Sequence, residues 1–111
     1  MGGGIARSGG KDTVHSLTGT GTNCASPLET VTGTGSTNVL VNDYGVVREG
    51  DTVGAHASGI GGTCSGTDTS TLTTYSSTVF VNDKGIGCNG DKYTSDNTIT
   101  SGSTDVFSNQ N

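Results

Sequence analysis

The sequence predicts an all-β fold, and three observations carry that prediction. The segment 39–51, Val-Leu-Val-Asn-Asp-Tyr-Gly-Val-Val-Arg-Glu-Gly-Asp, recurs at 79–91 as Val-Phe-Val-Asn-Asp-Lys-Gly-Ile-Gly-Cys-Asn-Gly-Asp, and a repeat of this period marks a supersecondary unit. No window shows a 3.6-residue apolar period, and 20 glycines in 111 residues are too many for helix interiors. Thr and Ser are abundant, at 20 and 13 residues, and Thr favours strands through its β-branch.

Each element of the unit follows from its residues. Val39-Leu40-Val41 and Val79-Phe80-Val81 are β-branched and aromatic runs bounded by polar turn residues, as strands are. Asn-Asp-x-Gly at 42–45 and 82–85 supplies residues that tolerate positive φ, as a tight hairpin requires. The second arms, Val46-Val47-Arg48 and Ile86-Gly87-Cys88, end at Gly-Asp, a further turn signal. A third copy is split across the chain. Ser103-Thr104-Asp105-Val106-Phe107-Ser108-Asn109 matches 36–42, and Gly4-Ile5-Ala6-Arg7-Ser8-Gly9 matches 45–50. The chain therefore reads as one domain, 1–111, of about three repeats that begins and ends mid-unit. Three like units can surround a pseudo-threefold axis, or stack as a short solenoid.

Composition and charge exclude several classes. Only 28% of the residues are hydrophobic, too few for a deep core of the ordinary kind. No apolar run approaches the length of a transmembrane helix. Met1-Gly2-Gly3-Gly4 has no charged segment followed by an apolar one, so no Sec-type signal peptide is visible. The formal charge is −5, with Arg7, Lys11, Arg48, Lys84 and Lys92 scattered, which argues against a nucleic-acid partner.

Histidine and cysteine placement points to a metal. His15 and His56 each lie eight residues after a repeat arginine, Arg7 or Arg48; Cys24 follows the first by nine residues and Cys64 the second by eight. Two inter-repeat loops thus each offer an imidazole and a thiol, a donor set that suits tetrahedral zinc, while iron is chemically possible. In a protein with a small core, such ligation would supply folding free energy. A Cys24–Cys64 disulfide competes with this reading. Cys88 stands where Arg48 stands in the preceding copy; it is a rival ligand or a small buried residue. An enzyme is not expected. No nucleophile sits in a recognisable catalytic context, and Gly85-Ile86-Gly87-Cys88-Asn89-Gly90 fits G-x-G-x-x-G without the following helix that dinucleotide binding needs.

With these residues in hand, the chain resembles the PAAR-repeat family, the small tips of phage tail baseplates and type VI secretion spikes. The resemblance rests on the Gly-x-x-Arg-x-Gly and Gly-Asp turns (4–9, 45–51, 85–91) and on the Ser-x-x-Val segments at Ser36, Ser76 and Ser103. It spans nearly the whole chain, although the family's Pro-Ala-Ala-Arg is degraded to Gly4-Ile5-Ala6-Arg7, Gly45-Val46-Val47-Arg48 and Gly85-Ile86-Gly87-Cys88. The resemblance implies a conical, pseudo-threefold structural protein of a virion or of a contractile secretion system. Its base would dock on a trimeric β-helical spike, one cap per trimer, and its apex would make transient contact with the target membrane during piercing. The base would fall on Val39, Leu40, Val41, Val79, Phe80, Val81, Val106 and Phe107. Family tips bind zinc near the apex, typically through three histidines and one cysteine; with two histidines here, the set implied is His15, Cys24, His56 and Cys64. The alternative is a small β-solenoid or adhesin-like module that binds a surface or glycan and is stabilised by the disulfide.

Overall fold

A computed structural model describes residues 2–16, 29–54, 56–58, 66–68, 70–94 and 97–109. Among these the chain is all-β, with no helix. The strands are β1 (Gly2–Gly4), β2 (Thr13–Ser16), β3 (Glu29–Val31), β4 (Leu40–Val41), β5 (Tyr44–Gly45), β6 (His56–Ser58), β7 (Gly66–Asp68), β8 (Phe80–Val81), β9 (Lys84–Gly85), β10 (Lys92–Tyr93), β11 (Asn97–Ile99) and β12 (Phe107–Asn109). Cys24 and Cys64 lie outside the described residues.

The strands of the recurrent unit form short antiparallel hairpins. β4 pairs with β5 and β8 with β9, in the same register: Leu40 faces Gly45, and Phe80 faces Gly85. The turns are built by Asn42 (φ 51°) and Asp43 (φ 72°), and by Asn82 (φ 55°) and Asp83 (φ 66°). Two consecutive positive φ values define the turn whose twist matches that of the flanking strands, and Asn and Asp tolerate them best among residues with side chains. The third hairpin is assembled from the two distant parts of the chain, β1 and β12, with Gly4 facing Phe107.

Every hairpin is preceded by a serine with the same task. Ser36 Oγ accepts the Asn38 and Val39 N–H groups at 3.2 and 2.9 Å; Ser76 Oγ accepts those of Thr78 and Val79 at 3.1 and 2.9 Å; Ser103 Oγ accepts those of Asp105 and Val106 at 3.2 and 2.9 Å. These local bonds satisfy backbone donors that no ladder reaches. A Cβ at Gly4, Gly45 or Gly85 would overlap the carbonyl oxygen of Ser103, Ser36 or Ser76 respectively. Glycine is required there by close backbone approach, and the Ser-x-x-Val and Gly positions of the repeat are two sides of one contact.

Beyond the hairpins, the second arms leave their own partners and close on one another. Ala6 N–H donates to the Gly87 carbonyl at 2.9 Å, Gly87 N–H to Val47 at 2.8 Å, and Val47 N–H to Ala6 at 3.1 Å. A second cycle links Ser8 N–H to Gly45 O, Glu49 N–H to Gly85 O and Asn89 N–H to Gly4 O, at 2.8, 2.8 and 2.9 Å. Backbone groups that a two-residue hairpin leaves unpaired are thereby satisfied between units.

A further layer repeats the scheme after the turns that end at Asp12, Asp51 and Asp91. The N–H groups of Thr32, Leu72 and Ile99 donate to the carbonyls of Asp12, Asp51 and Asp91. Thr32 then bridges to Val53, Leu72 to Tyr93, and Ile99 to Val14, so each returning strand pairs with the neighbouring unit. The first copy is wider here. Its arginine and aspartate, Arg7 and Asp12, are five residues apart, whereas Arg48 and Asp51 are three apart.

The apolar residues form two clusters, one per layer. Ile5, Val41, Val46, Ile86 and Cys88 pack beneath the hairpins with Val81 against them, and Ala6, Val14, Val47, Val53, Leu72, Tyr93 and Ile99 fill the layer beyond. The equivalent positions at the ring are Ala6, Val47 and Gly87, and a Cβ at Gly87 would lie 2.8 Å from Leu72 Cδ2. There is room for only a few small side chains in the centre, which accounts for a composition with so little apolar mass.

Candidate functional site

Two regions carry the candidate chemistry: the outer face of the hairpins and the seams between units. On the hairpins, strand alternation sends successive side chains to opposite faces. Leu40, Phe80 and Phe107, which occupy equivalent positions, are 55, 57 and 63% exposed. Val39, Val79 and Val106, each preceding one of these, are also exposed. Val41 is buried and Val81 packs against the same inner cluster. Of the eight residues expected at a docking base, the other six are exposed, while the alternation that exposes residues 40 and 80 turns 41 and 81 inward. Scattered single apolar residues on a surface are ordinary, but three repeat-related pairs on three hairpins form a pattern.

The seams contain a device that the sequence reading missed. The Arg7 guanidinium grips Asp12, with Nε 3.0 Å from Oδ2 and Nη2 2.8 Å from Oδ1, and its Nη1 reaches Asn42 Oδ1 of the next hairpin at 3.1 Å. Arg48 repeats this with Asp51, at 2.9 and 3.1 Å, and with Asn82 at 2.9 Å. Each carboxylate also accepts its partner arginine's backbone N–H, at 2.7 and 2.8 Å. A planar guanidinium supplies these parallel donors in a geometry that a lysine lacks. Hydroxyls complete the cradle: Ser101 donates to Asp12 and Thr34 to Asp51. The signal available in the sequence is an Arg-x-Gly turn followed by an aspartate, at 7–12 and 48–51, with an Asn-Asp pair one repeat later, at 42–43 and 82–83.

Ser103 and Ser36 bind the same asparagine oxygens, at 2.8 Å each, so Asn42 and Asn82 join an arginine on one side to the preceding unit's serine turn on the other. Asn42 Nδ2 also donates to Asp105 and Asn82 Nδ2 to Asn38.

The third seam differs. Cys88 replaces the arginine and is fully buried against Ile5, its bridge partner, in the inner cluster. Asp91 keeps the rest of the cradle, with Oδ2 accepting the Cys88 N–H at 2.9 Å and Oδ1 accepting the Thr74 hydroxyl at 3.0 Å. The electrostatic consequence is a divergence between equivalent carboxyls. Burial pushes both up; at Asp12 the hydrogen bonds from the Arg7 side chain, the Arg7 N–H and Ser101 outweigh it, and the carboxyl falls below its ordinary range. At Asp91 burial outweighs the Cys88 N–H and Thr74 bonds, and the carboxyl stays above it.

The expected metal ligands are placed only in part. His15 lies on β2, opposite Glu29 and Thr98, and its side chain is half-buried. His56 lies on β6 opposite Asp68. Counted from the arginines the two histidines correspond, but the wider first turn changes that. His15 is three residues after Asp12 and His56 is five after Asp51, so the position equivalent to His15 is Gly54. The remaining expected ligands, Cys24 and Cys64, lie outside the described residues. Among the described residues, no three His, Cys, Asp or Glu side chains gather closely enough to hold a metal. Among the described residues, the buried Tyr93 hydroxyl has no hydrogen-bond partner, and burial pushes its pKa upward. No protein-family model and no curated protein matches the chain.

Proposed function

We propose that the chain is the non-enzymatic tip of a contractile injection machine, a pseudo-threefold, PAAR-like cone that caps a trimeric β-helical spike. One observation carries this reading: three repeat-related hairpins, joined by closed cycles of backbone bonds, each present an exposed apolar pair, at 39–40, 79–80 and 106–107. A β-helix ends in unpaired strand backbone and apolar side chains, which invite association unless covered. Three equivalent apolar points on one chain suit a threefold end, and the small, hydrogen-bonded interior suits a rigid tip that concentrates force. Zinc held by His15, Cys24, His56 and Cys64 would tie the closing loops, adding stability where apolar burial is scarce. The machine is a phage tail baseplate or a related secretion spike.

Co-purification with a trimeric spike tests the reading. The chain should be retained by the spike, and a triple variant, L40S/F80S/F107S, should be lost from it while keeping its circular dichroism spectrum. Unimpaired retention of that variant would overturn the docking face. Metal analysis tests the other half: about one zinc per chain is expected, and a metal-free folded protein would remove the ligand set.

A further inference from the structure

The three seams have nearly the same backbone geometry, but only two of them carry the repeat's arginine, and we infer that the ring has one built-in opening seam, between residues 84–89 and β1. Three independent observations converge on it. The other seams are each crossed by an arginine that holds a carboxylate of its own unit and an asparagine of the next hairpin, whereas here position 88 carries a thiol. The hairpin on the far side of this seam pairs β1 with β12 across the length of the sequence, with Gly2 facing Asn109, where the other two are closed by two-residue turns. Finally, β1 is Gly2-Gly3-Gly4, so it carries no side chain at the positions where the equivalent strands carry Tyr44, whose ring lies under the Lys11 ammonium of the neighbouring unit, and Lys84.

Local opening follows the weakest cooperative contacts in a fold. Separation here breaks the Asn89 N–H bond to Gly4 and the Ala6 N–H bond to Gly87. It leaves both arginine seams intact, so the molecule can open at one place without unfolding. This inference concerns the ring itself and does not depend on the spike reading.

Hydrogen exchange on the full-length protein tests it. Asn89 N–H has two counterparts, Ser8 and Glu49, whose bonds to equivalent glycine carbonyls have the same length within 0.1 Å. After correction for intrinsic rates, Asn89 is expected to exchange at least tenfold faster than either. Ala6, bonded to Gly87 across the same seam, should likewise outpace Val47 and Gly87. Equal protection at the three seams would overturn the inference.

A covalent staple supplies a second arm. A Cβ at Gly3 would lie 3.6 Å from the Cys88 Cβ and 3.1 Å from the Asn89 carbonyl, a Cβ separation inside the disulfide range of about 3.5–4.5 Å. In G3C, with the bridge to Cys88 confirmed by peptide mapping, oxidation should raise Asn89 protection at least tenfold relative to the reduced form of the same protein. Ser8 protection should hardly change. A confirmed bridge that leaves Asn89 unprotected further would also overturn the inference.

Discussion

The second and third seams solve one geometric problem with different chemistry. Both hold an aspartate by the backbone N–H three residues earlier and by a threonine hydroxyl, Thr34 on Asp51 and Thr74 on Asp91. The second adds the Arg48 guanidinium and, through it, Asn82 of the neighbouring hairpin. The third places Cys88 in the apolar layer instead and leaves Asp91 with neutral donors from the described cradle. The backbone cycle is thus sufficient to position the carboxylate, and the guanidinium is what makes burying its charge favourable and ties two units together.

Breaking the arginine seam should have the largest effect. Asp51→Ala strands the Arg48 guanidinium and a backbone N–H in a poorly exposed place, and removing one partner of such a pair costs about 3 kcal/mol. Denaturant unfolding should show that loss, and a clearly smaller one for Asp91→Ala. Next comes Gly87→Ala, whose added methyl meets Leu72 2.8 Å away at the crowded ring; overpacking of this kind costs about 1–3 kcal/mol. The same test distinguishes the ring from a loose loop, where alanine would be tolerated.

The carboxyls themselves sharpen the comparison through pH. Asp12 is depressed in the folded state, so its contribution is present above the unfolded carboxyl range and is lost as pH falls through the folded value. Asp91 is raised, so its contribution is present below the unfolded range and is lost as pH rises through the folded value. Asp12→Asn should therefore lower the melting temperature at pH 7, whereas Asp91→Asn should leave it unchanged or raise it. Melting curves recorded downward from pH 7 should show the two variants converging once both carboxyls are protonated in the parent. The smallest stability effect belongs to the exposed hairpin residues: L40S and F80S should each change unfolding free energy by no more than about 0.5 kcal/mol, since neither side chain supports the core.

Much of this was legible in the sequence because it is local. The Asn-Asp turns appear where their residues place them, and the strand runs expected at 39–41 and 79–81 appear as 40–41 and 80–81; the split third copy is read by matching each of its halves to the intact unit. The forks were not legible because each arginine reaches an asparagine 34 or 35 residues away, a distance that no local pattern encodes. The correspondence of His15 with His56 failed for a related reason. Two extra residues between Arg7 and Asp12 keep the arginine count intact while shifting everything after the aspartate. An uninterrupted apolar triplet such as 39–41 conceals which face is buried, so the sequence does not separate buried Val41 from exposed Leu40.

The central claim is that one chain, with three unequal copies of a hairpin, covers a threefold end. Native mass spectrometry of the complex with a trimeric β-helical spike measures this directly. The account predicts one chain per spike trimer, with the L40S/F80S/F107S variant absent from the complex. Three chains per trimer, or no complex with any such spike, would contradict it.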